Sequence, residues 1–398
     1  MRISTSMIFQ NGTSAILDQQ AQVGQTQLQL SSGKNVLTPS DNPTAAVQIQ
    51  QLQDSINLTN TYQTNIGFAQ ASLNNEGSTL SSTTDLLQRI RELAVQANSG
   101  TMSSSDLKDI SQEVQQDLSG LVGLANSQDG NGNYLFAGNR TRTQPFSQSG
   151  SSFNYAGDQG QRTIQIGANR QVAITDTGYA AFQNIKNGNG TFVTSYGNAN
   201  TGTGVITTGQ VTDPAEWVPD TYTLTFLTPT TYQVQDSTST VIASGTYQSG
   251  GAISFNGAQV SVSGAPAAGD TFTIAPSTNQ DMFTTVQNLI TGLNAGVDDP
   301  TSRANLSTNI NQALASIDQA MNNVSNLNAS VGARLNAIDN QTSANGDLIA
   351  ASQTALSSLQ DLNYASASTR LSQQMLALQA AQQSFVKIQN ISLFNYIQ

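Results

Sequence analysis

Residues 9–37 read FQNGTSAILDQQAQVGQTQLQLSSGKNVL, and within them Phe9, Ile16, Val23, Leu30 and Leu37 recur every seven positions. Near the other end, residues 364–388 read YASASTRLSQQMLALQAAQQSFVKI. There Tyr364, Leu371, Leu378 and Phe385 keep the same period, with Ala367, Gln374, Ala381 and Ile388 three residues further on. A sustained seven-residue period marks helices wound round a shared seam. The N-terminal series is half a seam, because the companion places four residues on, Thr13, Gln20 and Gln27, are polar. It becomes dry only against another helix, and the far end of the chain supplies one. Burying each large seam residue is worth roughly 1.5–3 kcal/mol. Ordering the backbone costs on the order of 1–2 kcal/mol per residue, offset only in part by helix hydrogen bonds. The expectation is a subunit whose ends finish folding on joining an assembly, with Phe9, Ile16, Val23, Leu30, Leu37, Tyr364, Leu371, Leu378, Phe385 and Ile388 as the assembly interface.

Composition points the same way. Charged residues make up 10% of the 398, against the usual quarter or so, and Ser, Thr, Asn, Gln and Gly carry the polarity. Such surfaces suit close packing of identical chains, since few charges must be desolvated. The net charge of −11 argues against nucleic acid and anionic membranes as partners. Cysteine and histidine are both absent, which excludes disulfides, thiolate nucleophiles, Cys/His metal sites and a histidine base. No enzyme activity, cofactor or metal is expected. No run approaches the ~18 apolar residues of a membrane span. Arg2 is followed by Ser, Thr, Gln and Asn rather than an apolar stretch, so an exported chain would leave without a cleavable signal peptide.

Proline divides the chain. None occurs from Thr44 to Gln144 or from Thr301 to Gln398, so both tracts read as long helices. The first helix should span Thr5 to Ser32 and stop near Gly33. Asn42-Pro43 caps the next, which runs past Leu73; a further stretch covers Leu80 to Ala97, and another starts at Ser103 or Ser104. Ile164, Ile166, Val172 and Ile174 around Gly167-Ala168-Asn169 suggest a hairpin. From Tyr222 to Ile274 alternation of apolar residues with Thr, Ser and Gln indicates a small β domain. Helix resumes near Asp281, restarts at Asp299-Pro300 toward Asn340, and a last helix covers Gly346 to Leu393. The fold class is therefore α+β and multidomain: a long helical coiled-coil rod built from both chain ends, with a β-rich domain inserted in the middle. Residues 1–45 form a coiled-coil helix that pairs with 356–398; 46–181 and 278–355 form the rod, the former with the hairpin; 182–277 form the inserted β domain.

Local motifs offer little chemistry. Asp129-Gly130-Asn131-Gly132-Asn133 opens like a calcium loop but has Tyr134 at the sixth place and Arg140 at the twelfth, so it reads as a turn. Ser31/Lys34, Ser105/Lys108 and Ser384/Lys387 share a Ser-x-x-Lys spacing that a Ser-rich chain produces by chance. Gly202-Thr203-Gly204 lacks the helix and lysine of a phosphate loop.

Three segments resemble the bacterial flagellin superfamily. Leu30-Ser31-Ser32-Gly33-Lys34, followed by Pro39-Ser40-Asp41-Asn42-Pro43, is similar to its N-terminal signature. Leu87 through Asn98 is similar to its inner-rod helix, and Val331-Gly332-Ala333-Arg334-Leu335-Asn336 to its C-terminal rod motif. The Asn42-Pro43 ending, the segment Gly132 to Asn139 and the tail from Gln379 resemble the branch that forms the hook–filament junction. The resemblance implies a homo-oligomer in a tubular ring, with terminal helices lining the tube and the β domain facing outward. Its neighbours would be the first hook–filament junction protein and flagellin, and its role mechanical adaptation between hook and filament. It further implies type III export guided by a cytoplasmic chaperone on the C-terminal region, and an extracellular place on the flagellum. The alternatives are a filament flagellin and, in a different class, an adhesin function of the β insertion through Trp217, Tyr222 and Tyr232.

Overall fold

Helix forms where proline is absent and apolar residues keep helical spacing. The computed structural model describes residues 5–390. Its helices are α1 (Thr5–Ser32), α2 (Pro43–Ala97), α3 (Ser104–Ala125), α4 (Met282–Asn294), α5 (Pro300–Gln360) and α6 (Tyr364–Asn390). Between α3 and α4 the chain is mainly strand, so the α+β class with long helices from both ends is the one observed. The chain divides into two compact units, one holding both ends up to Thr64 and from Gln341, the other Asn65–Asn340.

The second unit is organised by two further seven-residue repeats. Ile66, Leu73, Leu80, Leu87 and Ala94 on α2, and Ile310, Ile317, Val324, Val331 and Ile338 on α5, are all at most 3% exposed. The places three residues on in α2, Ala69, Glu76, Thr83, Ile90 and Ala97, are buried as well. The two helices run antiparallel in one register. Gln70 donates to Asp339 (3.0 Å), Asn328 to Ser81 (3.4 Å), Arg91 to Asp318 (2.8 Å) and Asn98 to Asn311 (3.2 Å), each step along α2 matching an equal step back along α5. Leu107, Val114, Leu118 and Leu121 of α3 and Val286, Leu289 and Leu293 of α4 complete this core.

The sequence separates α2 into two stretches, but it is continuous. Thr79 and Thr83 hydroxyls donate back to the carbonyls of Asn75 and Thr79 (2.9 and 2.8 Å), so the polar tract keeps its helical bonding. A second break also moves. α5 passes straight through the expected boundary at 341–345, where Gln341 donates to Asn345 one turn on (2.8 Å). The break falls at 361–363, and Asn363 caps α6 by accepting from the Ser366 N–H (3.2 Å). The expected helix end at Leu393 lies outside the described residues. Of the two starts open at Ser103 or Ser104, Ser103 is the cap, in a reciprocal box with Asp106, and the helix expected near Asp281 is capped by Asp281 accepting from Thr284 N–H (2.7 Å).

β1 (Phe146–Ser149) pairs with β2 (Ser152–Tyr155), and β3 (Thr163–Gly167) with β4 (Arg170–Ala173) in the expected hairpin. A connector with a π-helical turn, Tyr179–Gln183, then leads to β5 (Ile185–Lys186). The strands that follow are β6 (Phe192–Tyr196), β7 (Val205–Ile206), β8 (Gln210–Val211), β9 (Tyr222–Thr228), β10 (Thr231–Gln235) and β11 (Val241–Thr246). After these come β12 (Ala252–Phe255), β13 (Ala258–Ser263), β14 (Thr271–Pro276) and β15 (Asn279–Gln280), which returns to pair with β5. One sheet has the order β11-β10-β9-β14-β6 and another β12-β13-β7, with β8 also on β13. Leu224 stands opposite Val234 on one side and Phe272 on the other, all fully buried, so alternation converts directly into a core row. This β core is separate from the helical one. Phe182 belongs to the helical core, against Phe136, Phe146 and Phe283.

Leu73→Ala should destabilise the protein by roughly 2–5 kcal/mol through cavity formation. Phe68→Ala, at a position 64% exposed, should stay within about 0.5 kcal/mol. Denaturant unfolding of both variants checks the seam assignment; equal losses would contradict it.

Candidate assembly interface

α1 and α6 lie in the same unit and pack antiparallel on one another. Phe9 meets Phe385 edge to face, with ring centroids 6.0 Å apart and planes at 82°. Gly12 makes this contact fit: a Cβ there would stand 2.7 Å from the Phe385 ring. Gln19 donates to the Gln374 carbonyl (3.3 Å), Thr26 to the Gln374 side chain (2.7 Å) and Arg370 to Gln29 (3.4 Å).

The seam differs from the sequence reading in its companion positions. Gly12, Gln19 and Thr26, three residues after each apolar one, turn inward, while Thr13, Gln20 and Gln27 are exposed. Spacings of three and four both fit a heptad, and the hydrogen-bonding partners on α6 select three. The seam remains polar, and each of those polar residues with a side chain has a partner there. Phe9, Ile16 and Leu30 are half-buried and Val23 is buried; Leu371, Leu378 and Phe385 are half-buried opposite them. Two assigned residues stay outside: Tyr364 is 55% and Ile388 45% exposed. Leu37 is not helical at all. It lies beyond the end of α1 in the connecting loop, where its N–H donates to Asp41 Oδ2 (2.9 Å).

That loop is tied to the other inter-helix break. Asn35 N–H donates to Gln360 O (2.7 Å) and Leu362 N–H to Gly33 O (2.9 Å). Gly33 has φ +69°, a conformation that glycine adopts without strain. N–H donors from Thr38 and Leu37 hold the Asp41 carboxyl below its ordinary value.

A second apolar set escapes a seven-residue reading. Leu17 (59%), Leu28 (62%) and Leu376 (69%) are exposed, as are Met7, Ile8, Val47, Leu58, Met375 and Val386. The pairs Leu17/Leu28, Val47/Leu58 and Met375/Val386 are each eleven residues apart. Eleven residues make three helical turns, so each pair shares one face; that spacing was the available signal. Val23, Met375, Leu376 and Leu378 line a groove of about 700 Å³.

The remaining candidates take structural places. Asp129 Oδ1 accepts the N–H groups of Asn131 and Asn133 (2.8 and 2.9 Å) and closes a turn. Trp217, Tyr222 and Tyr232 form no platform: Tyr222 is 1% exposed and packs on Phe255, with Trp217 partly buried beside it. Among the described residues, no three His, Cys, Asp or Glu side chains are gathered, and no helix is long and apolar enough to cross a membrane.

Comparison with known proteins adds three family matches: the bacterial flagellin N-terminal helical region over residues 3–141, a flagellar hook-associated protein 1 D2-like domain over 196–276, and the bacterial flagellin C-terminal helical region over 314–397. Flagellar hook-associated protein 3 of Salmonella typhimurium is 36% identical over 185 residues, 46% of this chain and 58% of that protein, thus under two thirds of its length. The crystal structure of flagellar hook-associated protein 3 from Legionella pneumophila is 36% identical, covering 78% of this chain and 98% of that one, with a TM-score of 0.76. That of Xanthomonas campestris FlgL is 32% identical, covering 77% and 99%, with a TM-score of 0.73.

Gly12→Leu should push Phe385 off α1 at a cost of about 1 kcal/mol or more. Limited proteolysis between residues 5 and 40 and between 360 and 390 should then run roughly fivefold faster, with Asn65–Asn340 spared. Unchanged cleavage would contradict the α1–α6 pairing.

Proposed function

The chain belongs to the bacterial flagellin superfamily, in its hook-associated protein 3 family, and from that premise we propose that it is a structural subunit of the flagellum joining hook to filament. The observation that carries the reading is the eleven-residue apolar stripe left exposed on α1, α2 and α6 after α1 and α6 have paired. Helices already paired, yet still carrying leucines more than half exposed, have surface left for other chains. A low density of charge favours identical neighbours.

In this reading, copies of the chain pack laterally through the stripe into a tubular ring. The first hook–filament junction protein lies on one side and flagellin on the other. The helical layers carry axial load, and the β domain faces outward. The subunit reaches its extracellular place by flagellar type III export, held beforehand by a cytoplasmic chaperone on its C-terminal region. It is a mechanical adaptor rather than an enzyme. Phe9, Ile16, Val23, Leu30, Leu371, Leu378 and Phe385 hold α1 to α6, while Tyr364 shares the face of Met375 and Val386, and Ile388 flanks the seam three residues after Phe385. A filament subunit is the second reading. The likeness of residues 196–276 to a hook-associated D2-like domain favours the junction.

Leu17→Asp combined with Leu28→Asp should leave helix content and unfolding midpoint near those of the unchanged chain, because both sites are exposed. It should abolish motility when it replaces the native copy, with unpolymerised flagellin released to the medium. Normal filaments on the variant cells would contradict the proposal. Deletion that leaves hook and junction intact but no filament would instead favour the filament subunit.

A further inference from the structure

The seam of α2 holds one acidic residue. Glu76 occupies an inward heptad place and is fully buried. Its Oε1 accepts the Asp176 N–H (2.8 Å), but its Oε2 is buried without a partner. Asp176, in the connector after β4, accepts at Oδ1 from Arg334 Nη2 of α5 and from Gln161 Nε2, both 2.8 Å. Its Oδ2 is likewise buried and unpartnered. Thus each carboxyl of a neighbouring pair leaves one oxygen unsatisfied. Two ionised carboxylates in that position would face each other across a dry seam with one guanidinium between them, which is strongly unfavourable. A proton on Glu76 removes that repulsion and leaves the cluster neutral: one acid, one carboxylate, one guanidinium.

We propose that Glu76 holds a proton against the neighbouring Asp176, and that this pair is an alkaline-sensitive latch fastening the connector 174–184 to the helical core. The connector is where the chain leaves the helices for the β domain. It is held to α2 at adjacent turns, by Ser72 donating to Ile174 O (2.8 Å) and by Glu76. It is held to α5 by Arg334 and by Asn323, which donates to Ala180 O and Ala181 O (2.9 and 3.1 Å). Of the charged groups nearby, Asp176 and Arg334 act on Glu76 directly, whereas Arg162, next to Gln161, acts on Asp129. Burial first, and then the Asp176 carboxylate, push the Glu76 carboxyl from its ordinary 4.5 up to about 8. A carboxyl raised on folding binds its proton more tightly in the native chain than in the unfolded one. Its contribution to stability is therefore fully present below about 4.5 and is lost as pH rises to about 8. Arg334 also lies on the α5 seam, so the latch marks one register among heptad-shifted alternatives.

The test is on the full-length chain. Carboxyl carbon NMR of the protein labelled at glutamate Cδ should show one glutamate, absent from Glu76→Gln, that titrates near pH 8. Between pH 5 and 8 the unfolding constant of the unchanged chain should rise by up to about tenfold per pH unit more than that of Glu76→Gln, which carries no titrating proton there. Amide exchange over residues 174–184, corrected for its intrinsic pH dependence, should accelerate across the same interval only in the unchanged chain. A Glu76 signal titrating below pH 5, or equal pH slopes in both proteins, would overturn the latch. The NMR titration needs only the unchanged protein for its pKa, so a poorly folding variant does not remove the test.

Discussion

The antiparallel seam between α2 and α5 is the interaction on which the Asn65–Asn340 unit depends. Ten apolar residues at seven-residue spacing, from Ile66 to Ala94 and from Ile310 to Ile338, are sealed in it. A repeat this regular has a weakness, since a shift by one heptad pairs apolar with apolar again. Polar contacts remove that degeneracy. Gln70 with Asp339, Asn98 with Asn311, and the buried Glu76–Asp176–Arg334 cluster each fit one register, and the buried members of that cluster lose their partners in any other. The same device recurs in the unit of the chain ends, where Gln19, Thr26 and Gln29 fix α1 on α6 while apolar groups supply contact area.

The two seams differ in how fully they are closed. Inner-seam residues between α2 and α5 are almost without exposure, whereas Ile16, Leu30, Leu371 and Leu378 are only half covered and a leucine-rich stripe stays outside. Such a surface is normally completed by neighbouring chains, which is why the exposed stripe, rather than any pocket, carries the functional reading.

Much of this was legible in the sequence where a single local force decides the outcome. The end of α1 near Gly33, the helix starts near Ser103 and Asp281, the Asn42-Pro43 start and the 167–169 hairpin turn each follow from capping or turn chemistry confined to a few residues. Legibility failed where distant partners decide. The polar tract before Leu80 reads as a break, but threonine hydroxyls fold back on their own helix and Gly77 packs against Val331. The boundary at 361–363 depends on bonds from Gln360 and Leu362 to residues more than three hundred positions away. Seam membership of Phe9 and Phe385 was visible from spacing. That the inward companions are Gly12, Gln19 and Thr26 was set by the partner helix, whereas a helix end near Gly33 already leaves Leu37 outside α1. The outer stripe has an eleven-residue spacing, which a seven-residue period does not display.

Amide hydrogen exchange over α1 and α6, measured on the dilute subunit and again on the polymerised protein, tests the account most directly. Surfaces completed by neighbours predict rapid exchange over residues 5–32 and 364–390 in the free chain, with Asn65–Asn340 protected. They predict protection of both terminal helices, by at least tenfold, once assembled. Terminal helices as protected in the dilute chain as the α2–α5 seam, with no change on polymerisation, would contradict it.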